Sequence, residues 1–427
     1  MKLNTKRTIL VGLAFMSICA FWQLYDGIIP LILKNSFHIG DTVSGGIMAL
    51  DNVLALFLLP LFGGISDRVD SKFGRRIPFI VGGTAVAVVS MLLIPIADDI
   101  RSLALFIVGL LLVLLAMSTY RSPAVALMPD VTPKPLRSKG NAIINLMGAV
   151  GGMITLLLIS KLVPKVKTGN PDYFPLFAAV AAIMVVSVAV LVLTVKERTA
   201  AAEAAAQNPE EEPETDDNGQ PAPMEKAVKR SLIFILISVA LWFMGYNAVT
   251  TAFSKYAQVY WGLEGGGFAN CLLIATAAAI VSYIPVGIVA TKIGRKKTIL
   301  FGAALLALAF ASGAFFRTYS PVINGLFVVV GIAWASINVN SYPMVVEMSR
   351  GSDVGKFTGF YYSFSMAAQI ITPILSGALL EHVGYYTLFP YAAVFVALSF
   401  ITMLFVKHGD SKPIPPATKL EAFNVED

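Results

Sequence analysis

The chain is short of charge. Of its 427 residues only 14% are Asp, Glu, Lys or Arg, against 56% hydrophobic side chains, where a soluble domain carries about 25% charged residues. That shortage excludes an ordinary water-soluble enzyme and a disordered chain. Cysteine is scarcer still. Both cysteines, Cys19 and Cys271, fall inside apolar runs, which excludes a disulfide-stapled secreted fold and reads as two small buried hydrophobes. The three histidines, His38, His382 and His408, have no ligand spacing. No Walker loop, HExxH, GxSxG or paired-cysteine motif occurs, so enzymatic or ATP-driven chemistry, a metal and an organic cofactor have no support.

What the chain does have is apolar runs of about twenty residues. A transmembrane barrel would alternate polar and apolar positions over about ten, so the runs read as helices, which satisfy their own backbone in lipid. Twelve spans are expected, at 9–33, 43–66, 77–97, 102–128, 141–160, 173–195, 231–255, 268–291, 298–316, 321–346, 357–380 and 385–406. The first is too long for the apolar core of a signal peptide.

Basic residues orient these spans. Of the 32 Lys and Arg, 24 fall at the termini and in the loops on their side, seven on the other side, and Arg121 lies within a span. The rich side is cytoplasmic by the positive-inside rule, which places both termini inside, at the plasma membrane or bacterial inner membrane. The formal charge of +6 is therefore a topology signal and implies no nucleic-acid partner. Between spans 6 and 7 the sequence turns acidic and rich in Ala and Pro, with nothing to bury. The expected organisation is a six-helix bundle at 1–195, a disordered cytoplasmic linker at 196–230, a second bundle at 231–406 and a tail at 407–427.

The two halves repeat. Pro60-Leu-Phe-Gly followed by Gly74-Arg75-Arg76 returns as Pro285-Val-Gly followed by Gly294-Arg295-Lys296. Likewise Ser122-Pro-Ala-Val-Ala-Leu-Met128 returns as Tyr342-Pro-Met-Val-Val-Glu-Met348, with Gly140 and Gly359 lying 17 and 16 residues beyond the respective prolines. Two similarly folded bundles related by an axis along the membrane normal account for such a repeat.

These motifs resemble the major facilitator superfamily. Its loop pattern, Gly-x-x-x-Asp-Arg-x-Gly-Arg-Arg, is present in compact length at Val289–Lys297 without the acid. It is longer in Gly63-Gly-Ile-Ser-Asp67-Arg68…Gly74-Arg75-Arg76-Ile-Pro78-Phe-Ile, where five residues separate Arg68 from Gly74 in place of one. The longer form is similar to the glycoside-pentoside-hexuronide cation symporters and most closely to the sucrose/proton symporter branch. The resemblance implies an all-α fold of twelve helices in two pseudo-symmetric bundles and secondary active transport, with a sugar or glycoside as substrate, lipid as surroundings and a monomer as the working unit. It also implies a cytoplasmic latch, tying span 2 to span 11 in the outward-facing state, made by Asp67, Arg68, Gly74, Arg75 and Arg76, with Glu347 and Arg350 as counterparts in the other half; a merely topogenic role for the arginines is the alternative. The melibiose-type sodium ligands would fall at Leu59 and Ala55, neither of which binds a cation. The implied coupling ion is thus the proton.

Ionisable groups within spans are costly and few. Asp26 and Asp51 sit roughly 10 to 12 Å from the outer surface at 1.5 Å per residue, and Arg121 lies on the other side of the midplane. Burial disfavours a bare carboxylate and the approach of Arg121 favours it, so relative movement could exchange a proton. Either aspartate is a candidate carrier with Arg121 as the modulating charge; a fixed ion pair, or acids reached by water, is the competing reading. For substrate, the candidates are Trp22, Gln23, Asp26, Asn145, Tyr246, Asn247, Thr250, Tyr362 and Gln369, an amide-and-aromatic lining suited to a sugar. Interhelical hydrogen bonding is the alternative use for these groups. A proton-coupled exporter of cationic or amphipathic molecules, with the aspartates binding the substrate, is the alternative function.

Overall fold

A computed structural model describes residues 3–133, 136–165, 171–206, 225–348 and 354–410. Twelve of its helices are long and apolar enough to cross a membrane. Six form the first bundle: α1 (Thr5–Asn35), α2 (Asp41–Arg68), α3 (Ile77–Asp99), α4 (Leu103–Asp130), α5 (Arg137–Leu162) and α6 (Phe174–Thr194). A short α7 (Glu197–Ala206) follows. The second bundle comprises α8 (Lys226–Val259), α9 (Phe268–Ile293), α10 (Arg295–Gly313), α11 (Val322–Val346), α12 (Val354–His382) and α13 (Leu388–Leu404). Prolines interrupt α2, α4, α9, α11 and α12 within their length. Neighbouring helices and hydroxyl side chains let a membrane bundle carry such breaks.

The same packing plan occurs twice. In the first bundle α3 packs on α4 and α6; in the second, α10, which follows the corresponding loop, packs on α11 and α13. The bundles face one another through α1 on α8, α2 on α12 and α5 on α9. At the end remote from the N-terminus, called here the far end, they touch backbone to backbone: Gly45 of α2 lies against the Pro373 carbonyl and Gly377 of α12 against that of Asp41. A β-carbon at either glycine would overlap the opposing chain.

Helices outrun the apolar blocks that mark them. α1 starts at Thr5 rather than 9 and α8 at Lys226 rather than 231, because hydropathy marks the hydrocarbon segment while the helix continues into the polar interface. The expected unstructured stretch at 196–230 needs correction at both ends. Its first part is α7, rich in alanine, the strongest helix former, and its last residues belong to α8; residues 207–224 lie outside the described residues. The start of the expected tail is also docked. The Lys407 N–H donates to Ser231 Oγ at 3.1 Å, and Asp410 Oδ1 accepts from the Lys296 N–H at 3.0 Å.

Candidate functional site

The three deep charges come together in the first bundle. α1 is surrounded by α2, α4, α5, α6 and α8, so its half-buried Trp22, Gln23 and Asp26 lie among helices rather than against lipid. Asp51 of α2 and Arg121 of α4 are half-buried too. The charge of Asp51 acts on Asp26, and that of Arg121 acts on Asp51. Asp51 Oδ1 accepts from Asn52 Nδ2 at 2.7 Å. Among the described residues no ion pair joins Arg121 to either aspartate; its guanidinium sits over the Trp22 ring, 5.8 Å from the centroid, in cation–π geometry. The Trp22 Nε1 donor has no partner. Asn145 is half-buried on α5.

The second bundle presents a wall without charge. Tyr246, Asn247 and Thr250 of α8 and Tyr362 and Gln369 of α12 are all half-buried. Asn247 Nδ2 has no partner. Thr250 and Thr251 donate their hydroxyls to the Asn247 carbonyl of their own helix, at 3.3 and 2.7 Å. Ser254 of α8 and Ser365 and Thr372 of α12 are packed inside the bundle. Sequence reasoning missed Trp334 of α11. It stacks on Tyr246 with centroids 3.7 Å apart and planes 5° apart, while Phe243 meets it edge-on at 5.4 Å. In sequence an aromatic in an apolar run looks like packing, so no signal singled it out.

At the far end the bundles are locked by a buried ion pair that the sequence also concealed. Asp41, at the start of α2, is 3% exposed and Lys255, in the last turns of α8, is 4% exposed. Lys255 Nζ lies 2.9 Å from Asp41 Oδ1. The Tyr385 hydroxyl donates to Asp41 Oδ2 at 2.5 Å, and Lys34 stands 3.6 Å from the same oxygen. Further hydrogen bonds cross here: Asn35 Nδ2 to Gln258 Oε1 at 3.0 Å, the Thr42 N–H to Glu381 at 2.7 Å and the Gly266 N–H to the Val163 carbonyl at 3.1 Å.

At the opposite end the loops are tied within their own bundle. Arg76 pairs with Asp67 and, at 2.8 Å, with Asp130. Burial pulls its pKa down, but the Asp130 and Asp67 carboxylates more than offset this and hold the guanidinium above its ordinary value. Glu197 of α7 accepts the Arg75, Arg76 and Ile77 backbone N–H groups at the start of α3, at 2.7 to 3.0 Å. Arg68 and the Arg75 side chain are exposed. In the second bundle Glu347 pairs with Arg295; Arg350 lies outside the described residues. The latch expected of this loop belongs to the outward-facing state; in this conformation, closed at the far end, Asp67 and Arg76 bond within the first bundle.

Two six-helix bundles, clamped at one end, have the architecture of a membrane transporter. The profile of the Major Facilitator Superfamily matches residues 11–282 and 268–425, and the chain belongs to that superfamily. Among solved structures, the fold is similar to a bacterial homologue of the iron transporter ferroportin in its inward-facing state, with a TM-score of 0.68 at 11% identity, covering 94% of this chain and 99% of that one. It is equally similar to the nucleoside transporter NupG, at 0.68 and 14% identity over 94% and 100% of the two chains. At these identities the likeness concerns the fold alone. Among curated proteins, the Arabidopsis thaliana sucrose transport protein SUC3 is 29% identical over 152 residues, 31% of this chain and 25% of its own length. The SUC4 protein of the same plant is 33% identical over 114 residues, 23% and 22% of the two lengths. The efflux pump bfoC of Aspergillus brasiliensis is 26% identical over 228 residues, 50% and 38%. The chain thus spans about a quarter of the length of the two sucrose transport proteins.

Proposed function

We propose that the protein is a proton-coupled symporter of a sugar or glycoside, a di- or oligosaccharide above all. It would work as a monomer in the plasma membrane, or the inner membrane of a bacterium, with both termini cytoplasmic. The observation that carries this reading is the division of labour across the central space. Ionisable Asp26 and Asp51 lie on one wall, and neutral Tyr246 and Asn247, backed by Trp334, on the other. Hydroxyls can bond to the unpartnered Trp22 and Asn247 donors while an aromatic face meets the C–H side of a sugar ring. The carboxylates take the proton, and Arg121, held over Trp22, can approach Asp51 when the site fills. With the termini inside, the far end is the outer one and the conformation is inward-facing. The likeness to sucrose transport proteins supports the substrate class, and Ala55 and Leu59 in place of acidic ligands support protons over sodium.

The test is uptake by proteoliposomes of a panel of mono- and disaccharides under an imposed pH gradient, repeated with a sodium gradient. Accumulation driven by pH supports the reading; accumulation driven by sodium alone sinks the proton assignment. A second reading, a proton-coupled exporter of cationic or amphipathic molecules, is favoured by the likeness to an efflux pump. In that case the aspartates bind the substrate, and a pH gradient drives cations but no sugar.

A further inference from the structure

The seam between the bundles carries a space that the transport reading does not use. Above the lock lies a cavity of about 690 Å³, lined from the first bundle by Lys34, His38 and Asp41 and from the second by Gln258, Glu264 and Glu381. Small-molecule sites occupy about 300 to 1,000 Å³. We infer that this outer vestibule is a second ligand site, for a neutral polyhydroxylated molecule of disaccharide size, and that its occupant holds the far end shut.

The lining argues for the chemistry. The Gln258 amide donates, since its Oε1 is already taken by Asn35, and so does the Lys34 ammonium beside its contact with Asp41; Glu264 accepts, as does Glu381 with the oxygen not bonded to the Thr42 N–H. Opposite charges are interleaved here. A bare cation meets Lys34 and a bare anion meets the two glutamates, whereas hydroxyls both donate and accept and satisfy every one of them. Geometry argues for the effect. Both bundles supply the walls, so the site exists only while they are closed at this end, and a ligand shifts a population toward the state it binds. A molecule at ten times its Kd that binds only the closed state favours closure about elevenfold. At high external concentration the substrate would therefore slow its own uptake.

The inference rests on the sugar reading for its choice of probe, and the experiment separates the two. In full-length protein reconstituted in proteoliposomes, Cys19 and Cys271 are replaced by alanine and Ala252→Cys is introduced. Ala252 is 6% exposed and lies just below Lys255 on α8, so an impermeant maleimide added outside reaches it only when the far end opens. Saturating sucrose, lactose or raffinose is expected to slow labelling about tenfold. Glu264→Gln combined with His38→Ala should remove that protection and leave uptake at low sugar unchanged. Absence of protection by any of the sugars, or protection that persists in the combined variant, overturns the vestibule site. Protection by choline and by no sugar overturns the polyol chemistry. A sugar that protects without being taken up upholds the vestibule and sinks the transport reading; one taken up without protection does the reverse.

Discussion

The two bundles are built on one plan and spend charge differently. In the first, Asp26, Asp51 and Arg121 lie deep in the membrane-spanning region; in the second, the facing wall is Tyr246, Asn247, Trp334 and Tyr362. Charge in hydrocarbon is expensive, and a duplicated fold has no structural need for it in one copy only. On the proposed reading, the asymmetry separates two tasks, ion handling in one bundle and recognition of a neutral ligand in the other. The bundles become comparable again at the lock, where each supplies one member of a buried pair.

The largest effect is expected at that shared pair. Removing one partner of a buried ion pair costs about 3 to 5 kcal/mol, because the other charge is left uncompensated. Here the stranded charge regains water by opening the far end. Lys255→Met or Asp41→Asn should raise maleimide labelling at Ala252→Cys about a hundredfold or more, as 1.4 kcal/mol is about tenfold. The combined Asp41→Asn, Lys255→Met variant removes both charges and should label more slowly than either single one. Equal labelling in all three would mean that the pair does not hold the bundles together.

Next comes the charged wall. With one proton per substrate, each pH unit is worth about 1.4 kcal/mol, or about tenfold accumulation. Asp26→Asn or Asp51→Asn, whichever removes the carrier, should lower accumulation to unity while leaving exchange of substrate across the membrane intact. Full uphill accumulation in both variants would take coupling out of the first bundle. Then the neutral wall: aromatic pairs contribute about 0.5 to 1.5 kcal/mol beyond their area. Trp334→Leu, which leaves Tyr246 unbacked, should raise KM about two- to tenfold with the accumulation ratio unchanged. A changed ratio would show that the two tasks are not separated.

The spans and the deep charges were legible because each violates an average, in apolar length or in burial of charge. Lys255 was not. It falls at the end of an apolar block, where a lysine ordinarily reaches for the interface, and its partner lies 214 residues away in sequence. Glu197 was hidden for a related reason, since it opens a linker whose acids otherwise look solvated. Trp334 shared its run with residues that only pack. In each case the contact depends on which side chain meets which across the bundle, and a one-dimensional pattern carries burial and period but not partners.

The smallest effect concerns the ends opposite the lock, where the repeat is most exact in plan and unequal in strength. In each bundle an acid just past the sixth span caps the third: Glu197 for α3 and Asp410 for α10. Each meets the chain at a glycine with positive φ, Gly74 at 120° and Gly294 at 96°, where a side chain would be strained and, at Gly74, would overlap the Glu197 carboxylate. An anion at a helix N-terminus contributes about 0.3 to 1 kcal/mol, rising to about 2 when partly buried. Glu197 is buried and takes three N–H groups, whereas Asp410 takes the one from Lys296 and is exposed. Glu197→Gln should therefore cost about 1 to 2 kcal/mol and Asp410→Asn about 0.5 kcal/mol or less, read as the larger and smaller drop in Tm of the detergent-solubilised protein. Equal drops would mean that the two caps bear the same load, and that the bundles differ only in the charges they bury.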